Sequence, residues 1–246
     1  MAHNVGMTRT SLAMSTPTAR AAQIRRRRLF FVLLICTTAV LATACDAQIS
    51  LGGGESGSGD FVMQSYDLTG FDELEISGSF DAVVEIGDTY SIEVLVDDNL
   101  LDYVDVRVRG DELKVGLESG VSTRNGTFEV NISMPEMVAL SVSGASDVVV
   151  DGIDEDELEL DISGSTDVLI EGESKNVVLD ASGSSDVDIR LAGVDEVIVD
   201  LSGASSAAFS SANTVNGELS GASDLWVPSS AVVSVETSGA SDVTKG

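Results

Sequence analysis

The chain has 246 residues, of which 41 are acidic and 13 basic, with two cysteines, one histidine and a formal charge of −28. A balance so acidic argues against nucleic acid and anionic membrane surfaces as partners, because phosphate binding needs Lys and Arg to displace counterions. The sole histidine is His3, so beyond the leader described next a Ser/His/Asp or Cys/His nucleophilic system and a His-based zinc site are excluded.

Residues 1–44 hold no Asp or Glu but six Arg (Arg9, Arg20 and Arg25 to Arg28), followed by an uncharged run from Leu29 to Ala44. This is a basic n-region with an apolar h-region too short for a typical membrane-spanning helix. The run ends in "LATAC", which resembles the lipobox of prokaryotic lipoproteins, although Ala42 stands where Leu is usual. The resemblance implies cleavage before Cys45 and a lipid on Cys45 that tethers the chain to a membrane. An ordinary signal peptide or an anchor helix is the alternative. "RRLFF" at Arg27 to Phe31 also resembles a twin-arginine export signal, so two export routes stay open. The chain from Cys45 onward sets 7 basic against 41 acidic side chains, a formal charge of −34. A solvated coat that keeps an exported protein soluble explains that charge most simply. With Cys36 in the leader and Cys45 acylated, no thiol is left for a disulfide or a metal site.

Residues 45–60, with "GGGESGSGD" from Gly52 to Asp60, have the composition of a flexible tether. From residue 61 to 246 the chain alternates Val, Ile, Leu and Thr with Asp, Glu and Ser, which predicts strands in a single domain. Within residues 61–137, "ISGSFDAVVEIG" at Ile76 to Gly87 reads as an early copy of the repeat that follows. The strands around it read as a wider, irregular beginning of the same stack, with a separate small β-domain as the alternative.

From 138 to 246 the pentad "SGASD" or a near copy recurs on Gly144, Gly164, Gly183, Gly203, Gly221 and Gly239, at spacings of 20, 19, 20, 18 and 18. A fixed period of this length marks a repeat architecture. Positions two, four and six before each glycine are apolar in sixteen of eighteen cases, the exceptions being Gly217 and Thr237. Positions four and six after it are apolar too, as in Val148 and Val150 or Val168 and Ile170. Each unit is therefore a strand, a tight bend and a second strand, and neither apolar face can be buried by the unit alone. The predicted fold is all-β: a single-stranded right-handed parallel β-helix, or β-solenoid, of about six 18–20-residue coils with a less regular N-terminal β portion. Its handedness follows the rule for parallel crossovers.

Stacking in register would align Asp147, Asp167, Asp186, Asp224 and Asp242, each three residues after its glycine, with Ser206 in the fourth coil. Like charges at strand spacing repel unless neutralised, which makes Ca²⁺ a candidate cofactor for this column. The plainer alternative is that each Asp caps its own bend and points into water. The spacing lacks the "GGxGxDx" pattern of calcium-binding solenoids. Trp226 falls on the outward phase, either for a sugar ring or a partner or packed under a loop. The chain stops directly after the sixth bend, and an uncovered coil there would favour a homo-oligomer. "NGT" at Asn125 and "NIS" at Asn131 match the glycosylation sequon.

The series "GDTYSIEVLVDDNLLDYVDVRVRGDELKV", "FEVNISMPEMVALSVSGASDV" and the repeated "SGASD" units resembles the auto-transporter adhesin, head GIN domain family over residues 66–246. That resemblance implies an exported surface or periplasmic β-solenoid with a role in adhesion. The expected function is a non-catalytic, lipid-anchored envelope or surface module whose partner is an envelope protein or a glycan. The alternatives are a glycan- or cation-binding accessory lipoprotein and a carbohydrate-active β-helix enzyme.

Overall fold

The computed structural model describes residues 54–246, so the leader and Cys45 lie outside the described residues. The regular coils confirm the stacking that the alternation demands. Strand β10 (Ala139–Gly144) pairs in parallel with the second half of β11 (Asp147–Ile162), which pairs with the second half of β12 (Asp167–Ala181). From there the ladder runs through β14 (Glu196–Leu201) and β16 (Thr214–Leu219) to β18 (Val232–Thr237). A second ladder joins the first halves of β11 and β12 to β13 (Asp186–Ala192), β15 (Ser206–Phe209), β17 (Asp224–Val227) and β19 (Asp242–Lys245). The result is a β-solenoid of about five turns. The two ladders enclose an aliphatic column in which Leu140, Leu160, Leu179, Val199, Val150, Ile170 and Ile189 are all buried. Each such side chain contributes about 1.5–3 kcal/mol by leaving water.

Gly217, one of the two exceptions in the inward pattern, has φ +151, and a Cβ there would collide with the Val199 carbonyl oxygen of the adjacent coil. Backbone occupies the space a side chain would need.

The strands of the N-terminal portion join the same two ladders, yet their order in space is not their order in sequence. Strands β3 (Glu73–Gly78) and β4 (Asp81–Ile86) form a complete coil around Gly78, and this coil lies directly against the first regular one: Gly78 is level with Gly144 and Ala82 with Val148. The intervening segment passes to the far side of that coil. There β7 (Glu112–Leu117) pairs with β3 and β9 (Phe128–Met134) with β4, both in parallel. Antiparallel strands then close this end: β5 (Ser91–Asp97) and β2 (Phe61–Tyr66) extend the ladder beyond β9, and β6 (Val104–Arg109) pairs with β7. The 3-10 turn Asp98–Tyr103 buries Leu100, and Phe80 and Phe128 meet at 5.1 Å, so the column is plugged.

The domain begins before residue 61. Strand β1 (Glu55–Ser56) pairs with β8 (Thr123–Arg124). The buried Asp97 carboxylate accepts the Gly59 N–H at 2.6 Å and the Thr127 N–H at 2.7 Å, while Asn99 donates to the Ser56 carbonyl. A side chain on Gly57 would run into Asp97. Gly57 of the supposed tether therefore serves close approach, whereas Gly59, with φ +84 and open space around it, serves a left-handed bend.

Candidate functional site: the pentad corner and its carboxylate columns

The pentad is a corner, and each of its positions has a separate physical task. The glycine takes φ between +75 and +104 in all six copies. A Cβ at Gly144, Gly164, Gly183, Gly203, Gly221 or Gly239 would lie within 3 Å of the glycine carbonyl oxygen in the preceding coil. The same carbonyl accepts the N–H of the residue after the next glycine, as in Ser184 to Gly164 at 2.7 Å and Ala204 to Gly183 at 2.8 Å. Two demands, a left-handed backbone and a close neighbour, thus fall on one residue.

The fourth position turns inward. Ser146, Thr166, Ser185, Ser205 and Ser223 are all buried. The hydroxyls of Ser185, Ser205 and Ser223 donate to the carbonyls of Ser182, Ser202 and Ser220 at 2.8–3.0 Å, closing each corner on itself. Thr166 donates instead to the Ser185 hydroxyl of the next coil. The Ser146 hydroxyl has no hydrogen-bond partner; the register sets it level with Phe80, an apolar neighbour.

The fifth position carries the expected carboxylates, and the structure brings them together: Asp147, Asp167, Asp186, Ser206, Asp224 and Asp242 follow one another in register. Four of the five Asp are half-buried and Asp242 is exposed. Asp81 continues the column toward Glu129, its carboxylate accepting the Asp147 N–H at 3.2 Å, and Ser206 donates to Asp186 at 2.7 Å. Among the described residues no group of three or more His, Cys, Asp or Glu is arranged to hold a metal ion.

A second acidic column was not singled out in the sequence. Asp161, Asp180, Asp200, Glu218 and Glu236, each three residues before a glycine, line the outer face of the other ladder. Partial burial, followed by the charges of Asp200 and Asp161, holds the Asp180 carboxyl above its ordinary value of 3.8. The signal is five acids at a constant offset, less uniform in spelling than the pentad because both Asp and Glu occur in it. Around the opposite corner, Asp88, Glu136, Asp154 and Glu155 line an open cleft. Burial pushes Glu155 up, against a lowering hydrogen bond from the Met137 backbone.

The remaining candidates are dispersed. Trp226 is half-buried on the outer face, level with Ala208 and Thr244. Asn125 is exposed in a turn with φ 51, whereas Asn131 lies in β9 between β4 and β5.

Fold and corner together define a parallel β-solenoid with acidic rungs. The chain matches the family described as putative auto-transporter adhesin, head GIN domain, over residues 70–245, and it belongs to that family. Among solved structures it is similar to a putative adhesin from Bacteroides fragilis (16% identity, TM-score 0.64, covering 77% of this chain and 99% of that one). It is also similar to a putative lipid binding protein from Parabacteroides distasonis (18%, 0.60, 78% and 99%) and a putative adhesin from Parabacteroides merdae (18%, 0.53, 78% and 98%). No curated protein matches the chain.

Proposed function

We propose that the chain is an exported, lipid-anchored envelope protein whose solenoid is a non-catalytic adhesive module. The observation that carries this reading is the register itself. It repeats one small polar corner, and one carboxylate column on the outer face of each ladder, at about 4.8 Å per coil. A surface of identical rungs suits many weak contacts with an extended partner, where avidity replaces a single deep site. Family membership and the Arg-rich leader ending at Cys45 support the envelope location.

Two measurements test the reading. Metabolic labelling with an alkyne fatty acid in a bacterial host should mark the wild-type chain and leave Cys45→Ser unmarked; equal labelling of both would refute the anchor. A glycan array run beside a turnover screen on acidic polysaccharides should give binding without cleavage, and cleavage would replace the adhesive reading with an enzymatic one.

A further inference from the structure

The outer face of the second ladder changes character at the plugged end. Its pentad column runs from Asp242 back to Asp147 and on through Asp81 to Glu129, and the same row then continues into Leu95 and Met63. Carboxylates thus give way to apolar side chains on the two outermost strands, β5 and β2. Four large apolar side chains are exposed among the described residues. Phe61 (58%) and Met63 (47%) stand two apart on one face of β2, whereas Ile198 and Val232 lie singly on different coils of the other ladder.

Strand β2, "FVMQSY", also carries apolar side chains on its other face: Val62, level with the sealed Val96, and Tyr66 are half-buried. A strand apolar on both faces is ordinarily covered on both, yet among the described residues β2 pairs only with β5. The same end receives the chain. Gly54 lies nine positions after Cys45, at most about 30 Å of extended backbone. The strap that follows is fixed to Asp97, the residue level with Phe61. From β2 through β5, β9, β4, β11, β12, β13, β15 and β17 to β19 there are nine strand spacings, about 43 Å. A lipid on Cys45 therefore keeps β2 beside the bilayer while leaving β19 room to stand clear of it.

We infer that Phe61 and Met63 enter the interface of a zwitterionic lipid surface and stand the solenoid on its plugged end, so that the acidic columns and Trp226 project away from the membrane. The inference rests on the lipid anchor proposed above. An aromatic ring beside a flexible thioether suits the boundary between headgroups and hydrocarbon. Exposed Asp60, Glu93 and Asp98 flank the pair, and their charge disfavours an anionic leaflet. Two side chains alone are too small an anchor. Joined to a covalent lipid, their insertion becomes intramolecular, and a weak preference is enough.

The sole tryptophan, Trp226, lies eight strand spacings from β2, about 38 Å, and serves as the control. The acylated chain is placed in phosphatidylcholine vesicles with and without bromine on the lipid chains, where bromine quenches indole emission on contact. Where fatty-acid labelling finds no lipid on Cys45, the chain carrying Cys36→Ser is coupled through the Cys45 thiol to a maleimide lipid in the same vesicles, so a failed anchor and a failed insertion are told apart. Phe61→Trp combined with Trp226→Phe should emit to the blue of a hydrated indole and lose about half of its emission to bromine. The wild-type chain should lose none. Met63→Glu, added to that pair, extends the carboxylate column to β2 and should lower the inserted fraction roughly tenfold. Its melting temperature should not change, because Met63 is exposed. Equal emission of the Phe61→Trp chain in plain and brominated vesicles, or equal quenching of Trp226, would overturn the inference. So would a blue shift that appears without lipid and grows with protein concentration, which assigns the pair to contact with a second copy.

Discussion

At Gly203 two constraints coincide, and a pair of substitutions separates them. Gly203 has φ +76, and a Cβ would sit 2.6 Å from the Gly183 carbonyl oxygen. Gly78 has φ +93 but nothing within 4 Å of the same position. Gly78→Ala should therefore show backbone strain alone, about 1 kcal/mol, and Gly203→Ala strain plus a collision, about 2–4 kcal/mol. Thermal melting compares them; equal losses would mean that the close approach between coils does not matter. The inner hydroxyls make a second pair. Ser205→Ala loses the bond to Ser202 and should cost about 1 kcal/mol, whereas Ser146→Ala removes a buried hydroxyl with no partner and should be neutral or stabilising.

Among the strands, those from β10 onward were legible because three signals agree on them: period-two alternation, a glycine at a fixed interval and inward positions that are almost all aliphatic. The N-terminal strands were harder for a physical reason. Alternation reveals a strand and its buried face but not its neighbour, so nothing in Ile76 to Gly87 says that it touches Gly144 and Val148 rather than the strands that follow it in the chain. The strap at Glu55–Asp60 was misread because a glycine that permits close approach to Asp97 is spelled like a glycine that confers flexibility. Within the site, the pentad column was visible and the outer column through Asp180 was not, although both follow from the same register.

That second column carries a pH dependence. With its carboxyl held above the ordinary value, Asp180 binds its proton more readily in the folded chain than in the unfolded one. Its charged form is thus a cost to folding above the raised value, and the cost is relieved as pH falls through it. Asp180→Asn should melt higher than wild type at neutral pH. The difference should shrink with added salt and vanish below the ordinary value of 3.8. A variant that is less stable at neutral pH, by the same margin at every pH, would contradict the like-charge column.

At the scale of the whole molecule the central claim is that the coils lie one on another in a fixed order, with the coil of Gly78 next to that of Gly144. The order along the outer column is Glu75, Ser141, Asp161, Asp180, Asp200, Glu218 and Glu236. Pulsed electron resonance between a spin label at Glu236 and a second label placed in turn at Asp161, Ser141 and Glu75, with Cys36 and Cys45 replaced by Ser, measures that order directly. The expected distances are about 19, 24 and 29 Å, one strand spacing per coil, even though Ser141 and Glu75 are far apart in sequence. A distance from Glu75 that does not exceed the one from Ser141 by about one spacing would contradict the stack.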